Sequence, residues 1–167
     1  MSYYKIEEEI MPMNPGQLRK LITDVLITMD MYSKNAVELL MLTAAQESHC
    51  GEYIEQLNGP ALGIFQMEPN TYEDTFSNYL MYKPRLLNKV KDLFVLHDYV
   101  DIPDLNLRGN LILQIAMARI YYMRFSEQLP DHNNVEAMAQ YWKKYWNTPK
   151  GKGHVTEAKN NYMRYAV

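Results

Sequence analysis

Between Ser33 and Ser48 the chain commits itself more narrowly than anywhere else. Ala36, Val37, Leu39, Leu40, Met41, Leu42, Ala44 and Ala45 leave almost no polar face on a helix that Ser33 is placed to cap. A helix apolar all round has to lie in the middle of a domain, with other elements packed around it. This one runs directly into Gln46-Glu47-Ser48, so a carboxylate stands at the C-terminal end of the most buried element.

The surrounding sequence supplies the covering helices. Asn14-Pro15 opens one, with Leu18, Leu21, Ile22, Val25, Leu26 and Met29 recurring at three- and four-residue spacing. Pro69-Asn70-Thr71 opens another, with Thr71 and Asp74 at capping-box spacing. Further helices are expected over 84–95, 108–126, 135–146 and 154–165. Lys83-Pro84, the 97–106 segment with Pro103, Pro130-Asp131 and the stretch from Pro149 to Gly153 should separate them. Gly51, Gly59, Pro60 and Gly63 mark a loop, or a small irregular or β element around 51–68. No repeat or strand-rich region occurs, so a single mainly helical domain over 1–167 is expected.

The totals agree. The chain has 167 residues, 47% of them hydrophobic and 22% charged, which suits one folded core. A formal net charge of -3 argues against nucleic acid as a partner, which would call for a strong basic excess. Cys50 is the single cysteine, so no intrachain disulfide can form. Met1 to Ile10 has neither the basic start nor the run of about 7 to 15 apolar residues of a secretory signal, and no stretch reaches the roughly 18 to 20 needed to insert in a membrane.

The segment from 47 to 71 resembles the lytic transglycosylase branch of the lysozyme-like superfamily. In that family a Glu-Ser pair ends a buried helix, a glycine-containing loop follows, and then come Gly-Leu-Met-Gln, a short spacer, Pro and Thr. The matching residues are Glu47-Ser48, Gly59-Pro60-Ala61-Leu62, and the run Gly63-Ile64-Phe65-Gln66-Met67-Glu68-Pro69-Asn70-Thr71. A looser likeness covers the segment around Asn110 to Tyr122, and Ala139-Gln140-Tyr141 is similar to the family's Ala-x-x-Tyr-Asn element. Trp142 stands where the family has Asn, and Asn58 is the nearest polar residue to a serine that the family often places before Gly-Leu-Met-Gln. The resemblance covers about 36–147, leaving 1–14 as an N-terminal extension.

The resemblance implies a lysozyme-like fold and cleavage of the glycan strands of peptidoglycan, without a cofactor or metal, by Glu47 acting first as acid and then as base. It implies substrate contacts from Gln66, Tyr141, Asn58, Ser48, Phe65 and Met67, with Tyr141 orienting the Glu47 carboxyl from across the cleft. A lone module without a leader fits a phage-encoded enzyme, carried in the virion beside other virion proteins or released to the cell wall with help from another protein.

The chemistry points the same way independently. A glycosidic oxygen is a poor leaving group and needs a proton, so the acid must stay protonated near neutral pH. Glu47 on an apolar helix end is partly desolvated and sits at the negative end of the helix dipole; both effects raise a carboxyl pKa. A hydrolase of the inverting type would need a second carboxylate about 6.5 to 9.5 Å away. Glu52, Glu55, Glu68 and Asp74 are the nearby choices, and Gln56 occupies the place of the phage lysozyme Asp, nine residues after Glu47.

Blander readings stand beside these. Glu47 alone would suit a solvated helix end, Gln66 a turn, Phe65 and Met67 the core, and Tyr141 an amphipathic helix face. The basic residues from Lys143 to Arg164 would suit a solvated face as well as anionic polymer. Cys50 beside His49 follows a helix C-terminus, the wrong end to activate a thiolate. The four histidines lack metal-ligand spacing. A non-catalytic peptidoglycan-binding or structural virion protein is the rival of another class.

Overall fold

Asn14 accepts the Gln17 N–H at 3.1 Å and Pro15 takes the first helical position, so α1 (Pro15–Thr28) begins where the sequence places it. Ser33 does the same for α2 (Lys34–Ser48), accepting from Ala36 N–H at 3.0 Å. The computed structural model describes residues 13–94 and 103–167. Six more helices follow among them: α3 (Pro69–Asn78), α4 (Pro84–Lys91), α5 (Pro103–Gly109), α6 (Leu111–Met123), α7 (Val135–Trp142) and α8 (Val155–Tyr165). A 3-10 turn at Leu80–Tyr82 joins α3 to α4, and α7 widens into a π turn at Lys143–Asn147.

The eight apolar residues of α2 are each at most 4% exposed, as its lack of a polar face requires. α1, α6, α7 and α8 pack around it. One hydrophobic core runs from Leu18 in α1 to Ala166 beyond α8, so both ends of the described chain belong to the same mainly helical domain. Arg19 bridges to Glu38 at 2.7 Å and donates to the Ala166 carbonyl, while the Tyr162 hydroxyl donates to Glu38 at 2.7 Å. That network ties α1 and α8 to the helix carrying Glu47.

Four expectations are corrected. The helix expected over 84–95 ends at Lys91, with Asp92 as its cap. The helix expected over 108–126 is divided by Asn110, whose Oδ1 accepts from Leu113 N–H at 3.1 Å while its Nδ2 donates to the Leu93 carbonyl at 2.7 Å. Pro103, read as a separator, starts α5 instead, because proline at a first helical position loses no hydrogen bond; residues 97–102 lie outside those described. The Thr71–Asp74 capping box does not form. The helix has already begun at Pro69, so Thr71 accepts from the Thr75 hydroxyl through its carbonyl, and Asp74 pairs with Arg124 at 2.6 Å.

The 51–68 segment is the irregular element expected there. Two isolated antiparallel bridges, Glu55 with Leu62 and Leu62 with Met67, fold it into a compact loop. Of the 1–14 extension, Asn14 caps α1 and Met13 N–H donates to the Cys50 carbonyl at 3.2 Å; its first twelve residues lie outside those described. No helix among the described residues is long and apolar enough to cross a membrane.

Candidate active site

The end of α2 fixes Glu47. His49 turns left-handed (φ 51°), and the N–H groups of His49 and Cys50 reach back to the carbonyls of Ala45 and Ala44, closing the helix immediately after the Glu47 turn. The Glu47 carboxylate then accepts a hydrogen bond from Trp142 Nε1 at 2.9 Å, across from α2 to α7. Trp142 is itself fully buried, so this donor is held in place by packing.

Burial pushes the Glu47 pKa up to about 7; the Trp142 hydrogen bond opposes the rise and repulsion from Glu157 adds to it. A carboxyl titrating there offers both protonation states near neutral pH, as acid and base catalysis by one group requires. The Tyr122 hydroxyl is engaged elsewhere: Thr43 gives its own proton to the Leu39 carbonyl, so Tyr122 donates to Thr43 at 2.8 Å. Trp142 is therefore the donor to Glu47 among the described residues.

The Gly63–Gln66 turn is clamped against the end of α2. Ser48 Oγ donates to the Ile64 carbonyl at 2.6 Å and accepts from Gly51 N–H at 2.9 Å. On the other side of the same residue, Ile64 N–H donates to Gln114 Oε1 of α6 at 2.8 Å. Gly63 lies at φ +75°, where a Cβ would sit 2.3 Å from the Leu107 carbonyl oxygen, so only glycine fits. Gln66 follows, also left-handed at φ 48°, with its Nε2 donating to the Gly63 carbonyl at 2.8 Å. Its amide oxygen and second N–H are left for the cleft.

Glu47 opens onto a cleft of about 650 Å³. One wall carries Gln56, Ala61, Gln66, Met67, Glu68 and Thr71; the other carries Tyr121, Trp146, Asn147, Thr148, Gly151, Lys152 and Gly153. Thr71 and Tyr121 also border a second hollow lined by Asn70, Asp74, Arg124 and Phe125, so the groove continues along the first turns of α3. Its surfaces, amides and hydroxyls with the rings of Tyr121, Phe125 and Trp146 among them, suit a polyhydroxylated chain.

Of the residues the sequence singles out, Glu47, Gln66 and Met67 meet in this cleft, Met67 being also part of the core at 4% exposed, and Gln56 and the candidate second carboxylate Glu68 join them. The others are placed differently. Tyr141 does not reach Glu47: its hydroxyl donates to the Glu127 carbonyl at 3.1 Å, and the next residue, Trp142, holds the carboxyl instead. Successive helical residues are rotated by about 100°, so only one of the two can face α2. Ser48 is fully buried and spends its hydroxyl on the clamp, so it positions the loop rather than touching substrate. Phe65, 2% exposed, belongs to the core. Asn58 is exposed in a left-handed turn (φ 60°) outside the cleft walls.

Most of the far wall is new: Tyr121 lies in the loosely similar segment and Lys152 among the basic residues from Lys143 to Arg164, but the rest carried no expectation of a site. Trp146, Asn147 and Thr148 come from the π turn and its exit, Gly151 to Gly153 from the segment read as a spacer. Cys50 is fully buried, and that burial pushes its thiol up to about 12, which suits packing and not nucleophilic attack. No group of three or more metal-ligating side chains occurs among the described residues.

With Glu47 acting as an acid, the reading proposed below, Trp142→Phe is expected to move the alkaline limb of the pH–rate profile upward, because the lost hydrogen bond stabilises the carboxylate form. It should also lower kcat, by about tenfold, as the carboxyl loses its orientation. Rates measured from pH 5 to 9 on a variant shown to be folded check this. A fall in kcat with an unmoved limb would mean that Trp142 matters for packing alone. No protein-family model, curated protein or solved structure matches the chain, so what the cleft can do has to be read from its own geometry.

Proposed function

We propose that this protein cleaves the β-1,4 bond between muramic acid and N-acetylglucosamine in peptidoglycan as a lytic transglycosylase of lysozyme-like type. The observation that carries the reading is Glu47, a carboxyl raised to about 7 and held by Trp142 at the floor of an open polar groove, with Gln66 fixed beside it by the Ser48–Ile64–Gln114 clamp.

In this reading protonated Glu47 gives its proton to the glycosidic oxygen as that oxygen leaves the anomeric carbon. The resulting carboxylate takes the proton of the same sugar's C6 hydroxyl, whose oxygen closes on the anomeric carbon. A 1,6-anhydro ring forms, no water is consumed, and Glu47 ends protonated as it began. The free amide atoms of Gln66 suit the N-acetyl and hydroxyl groups of the sugar.

One observation favours a second reading, a true lysozyme. Of the four nearby carboxylates, Glu52 is paired with His49, Glu55 with Arg108 and Asp74 with Arg124, but Glu68 lines the cleft without an ion pair among the described residues. Glu68 is thus the candidate for activating water. The two readings separate on the products released from intact sacculi by the native protein and by Glu68→Gln. Anhydro ends, lighter by one water than reducing ends, from both proteins support the transglycosylase. Reducing ends lost in Glu68→Gln identify a hydrolase. No soluble products, from sacculi that a control enzyme cleaves, would favour the binding or structural reading.

A further inference from the structure

Lys152 is the one cation among the residues lining the Glu47 cleft. Of the lysines near it in sequence, Lys144 pairs with Glu127, Lys159 with Glu136, and Lys143 donates to Asn147 Oδ1 at 2.6 Å and to the Gly151 carbonyl at 2.8 Å, while Lys150 is exposed and does not line the cleft. Lys152 has no carboxylate partner among the described residues. It is exposed, and it projects from a short segment whose backbone is pinned on both sides.

The pinning is specific. A Cβ on Gly151 would lie 2.2 Å from the Asn147 carbonyl oxygen, and one on Gly153 would lie 2.6 Å from Trp142 Cη2. The segment therefore rests on the same indole that orients Glu47, so the Lys152 backbone and the Glu47 carboxyl share a common support. The facing wall offers amides and a hydroxyl, from Gln56, Gln66 and Thr71, and one acid, Glu68. A single unpaired positive charge, flexible on its stem but anchored at its backbone on one side of a largely neutral cleft, favours a ligand with a negative charge within its reach.

We propose that Lys152 determines specificity: its ammonium pairs with a carboxylate carried on a substituent of the sugar beside the scissile bond, favouring muramic-acid glycan over an uncharged amino-sugar polymer. The assignment rests on the glycan-cleaving reading above. Such a carboxylate has two sources, the lactyl acid of a bare strand or the acidic groups of an attached stem peptide. The pair is solvent-exposed, so its contribution is modest and screened by salt.

Binding can be measured without turnover in a Glu47→Gln background, with soluble bare glycan strands, the same strands after coupling of their carboxylates to methylamine, and peptide-bearing strands. Adding Lys152→Ala should weaken binding to the charged strands by about two- to fivefold at low salt. Lys152→Arg should restore it, and the neutralised strands should bind all variants alike.

Loss on bare strands assigns the lactyl carboxylate; loss confined to peptide-bearing strands assigns the stem. An equal loss on charged and neutralised strands, or no loss on any, overturns the pairing while leaving the glycan reading intact. Absence of binding to all three polymers by the Glu47→Gln protein overturns both.

Discussion

Glu47→Gln is expected to lower the release of fragments from sacculi by about 10³-fold while making the protein more stable above neutral pH. The first half follows from the proposed role of Glu47 as the acid that protonates the leaving oxygen. The second follows from the cause of its pKa. Burial raises the carboxyl from its ordinary 4.5 to about 7, so the folded protein holds a proton that the unfolded chain releases across that interval. Below about 4.5 both states are protonated and nothing is lost. As pH rises towards 7 the wild type loses stability, and above 7 the full cost of a buried charge is present, on the order of 3 kcal/mol. Glutamine keeps an oxygen to accept from Trp142 and never ionises, so the variant should escape this loss. Denaturant unfolding at pH 5 and pH 8 measures it: the two proteins should be close at pH 5 and separate at pH 8. Equal pH dependence would mean that Glu47 is solvated in the folded state, and the same result would remove the reason for placing the acid there.

The near half of this site was legible because its signals are local. Apolar residues on every face from Ala36 to Ala45 force α2 to the centre, and a helix that ends at Ser48 leaves Glu47 in its last turn, beside a loop. Gly63 could be recognised as a position for a special backbone, though its contact with α5 could not. The far half was illegible because 143–153 departs from the regular period. Reading α7 through to 146 at 3.6 residues per turn misplaces Trp146, since it lies within the π turn at Lys143–Asn147, whose wider winding changes the azimuth of the residues in it. Thr148 at φ 65° then turns the chain back, so that two glycines read as spacers become a wall. One signal was available. The chain has only two tryptophans, Trp142 and Trp146, four residues apart and directly after the Ala139-Gln140-Tyr141 element, and their ring area made them candidates for any site that α7 contributes. The choice between Tyr141 and Trp142 was a choice of helix rotation, which neighbouring residue types do not settle.

Gly63→Ala should be the most destabilising single-methyl change in the loop, by about 3 kcal/mol. Two costs add. An L-residue at φ +75° is disfavoured by about 1 kcal/mol or more, and the new Cβ meets the Leu107 carbonyl oxygen at 2.3 Å and Gln114 Oε1 at 2.5 Å. The first of these atoms is helix backbone and cannot swing aside. Displacing the second breaks its bond to Ile64 N–H, leaving a buried donor unsatisfied at a cost of about 1 to 3 kcal/mol. For a chain of this length the melting temperature should fall by about 10 °C. Because Ile64 is gripped by Gln114 and Ser48 together, the turn would also carry Gln66 away from Glu47, and cleavage should fall even at temperatures where the variant is folded. Gly109→Ala is the matched control, since a Cβ there meets nothing within 4 Å. Its melting temperature should stay within a degree or two of the wild type. An unchanged melting temperature for Gly63→Ala would show that the turn yields, and a turn that yields cannot hold Gln66 at a fixed place beside the acid.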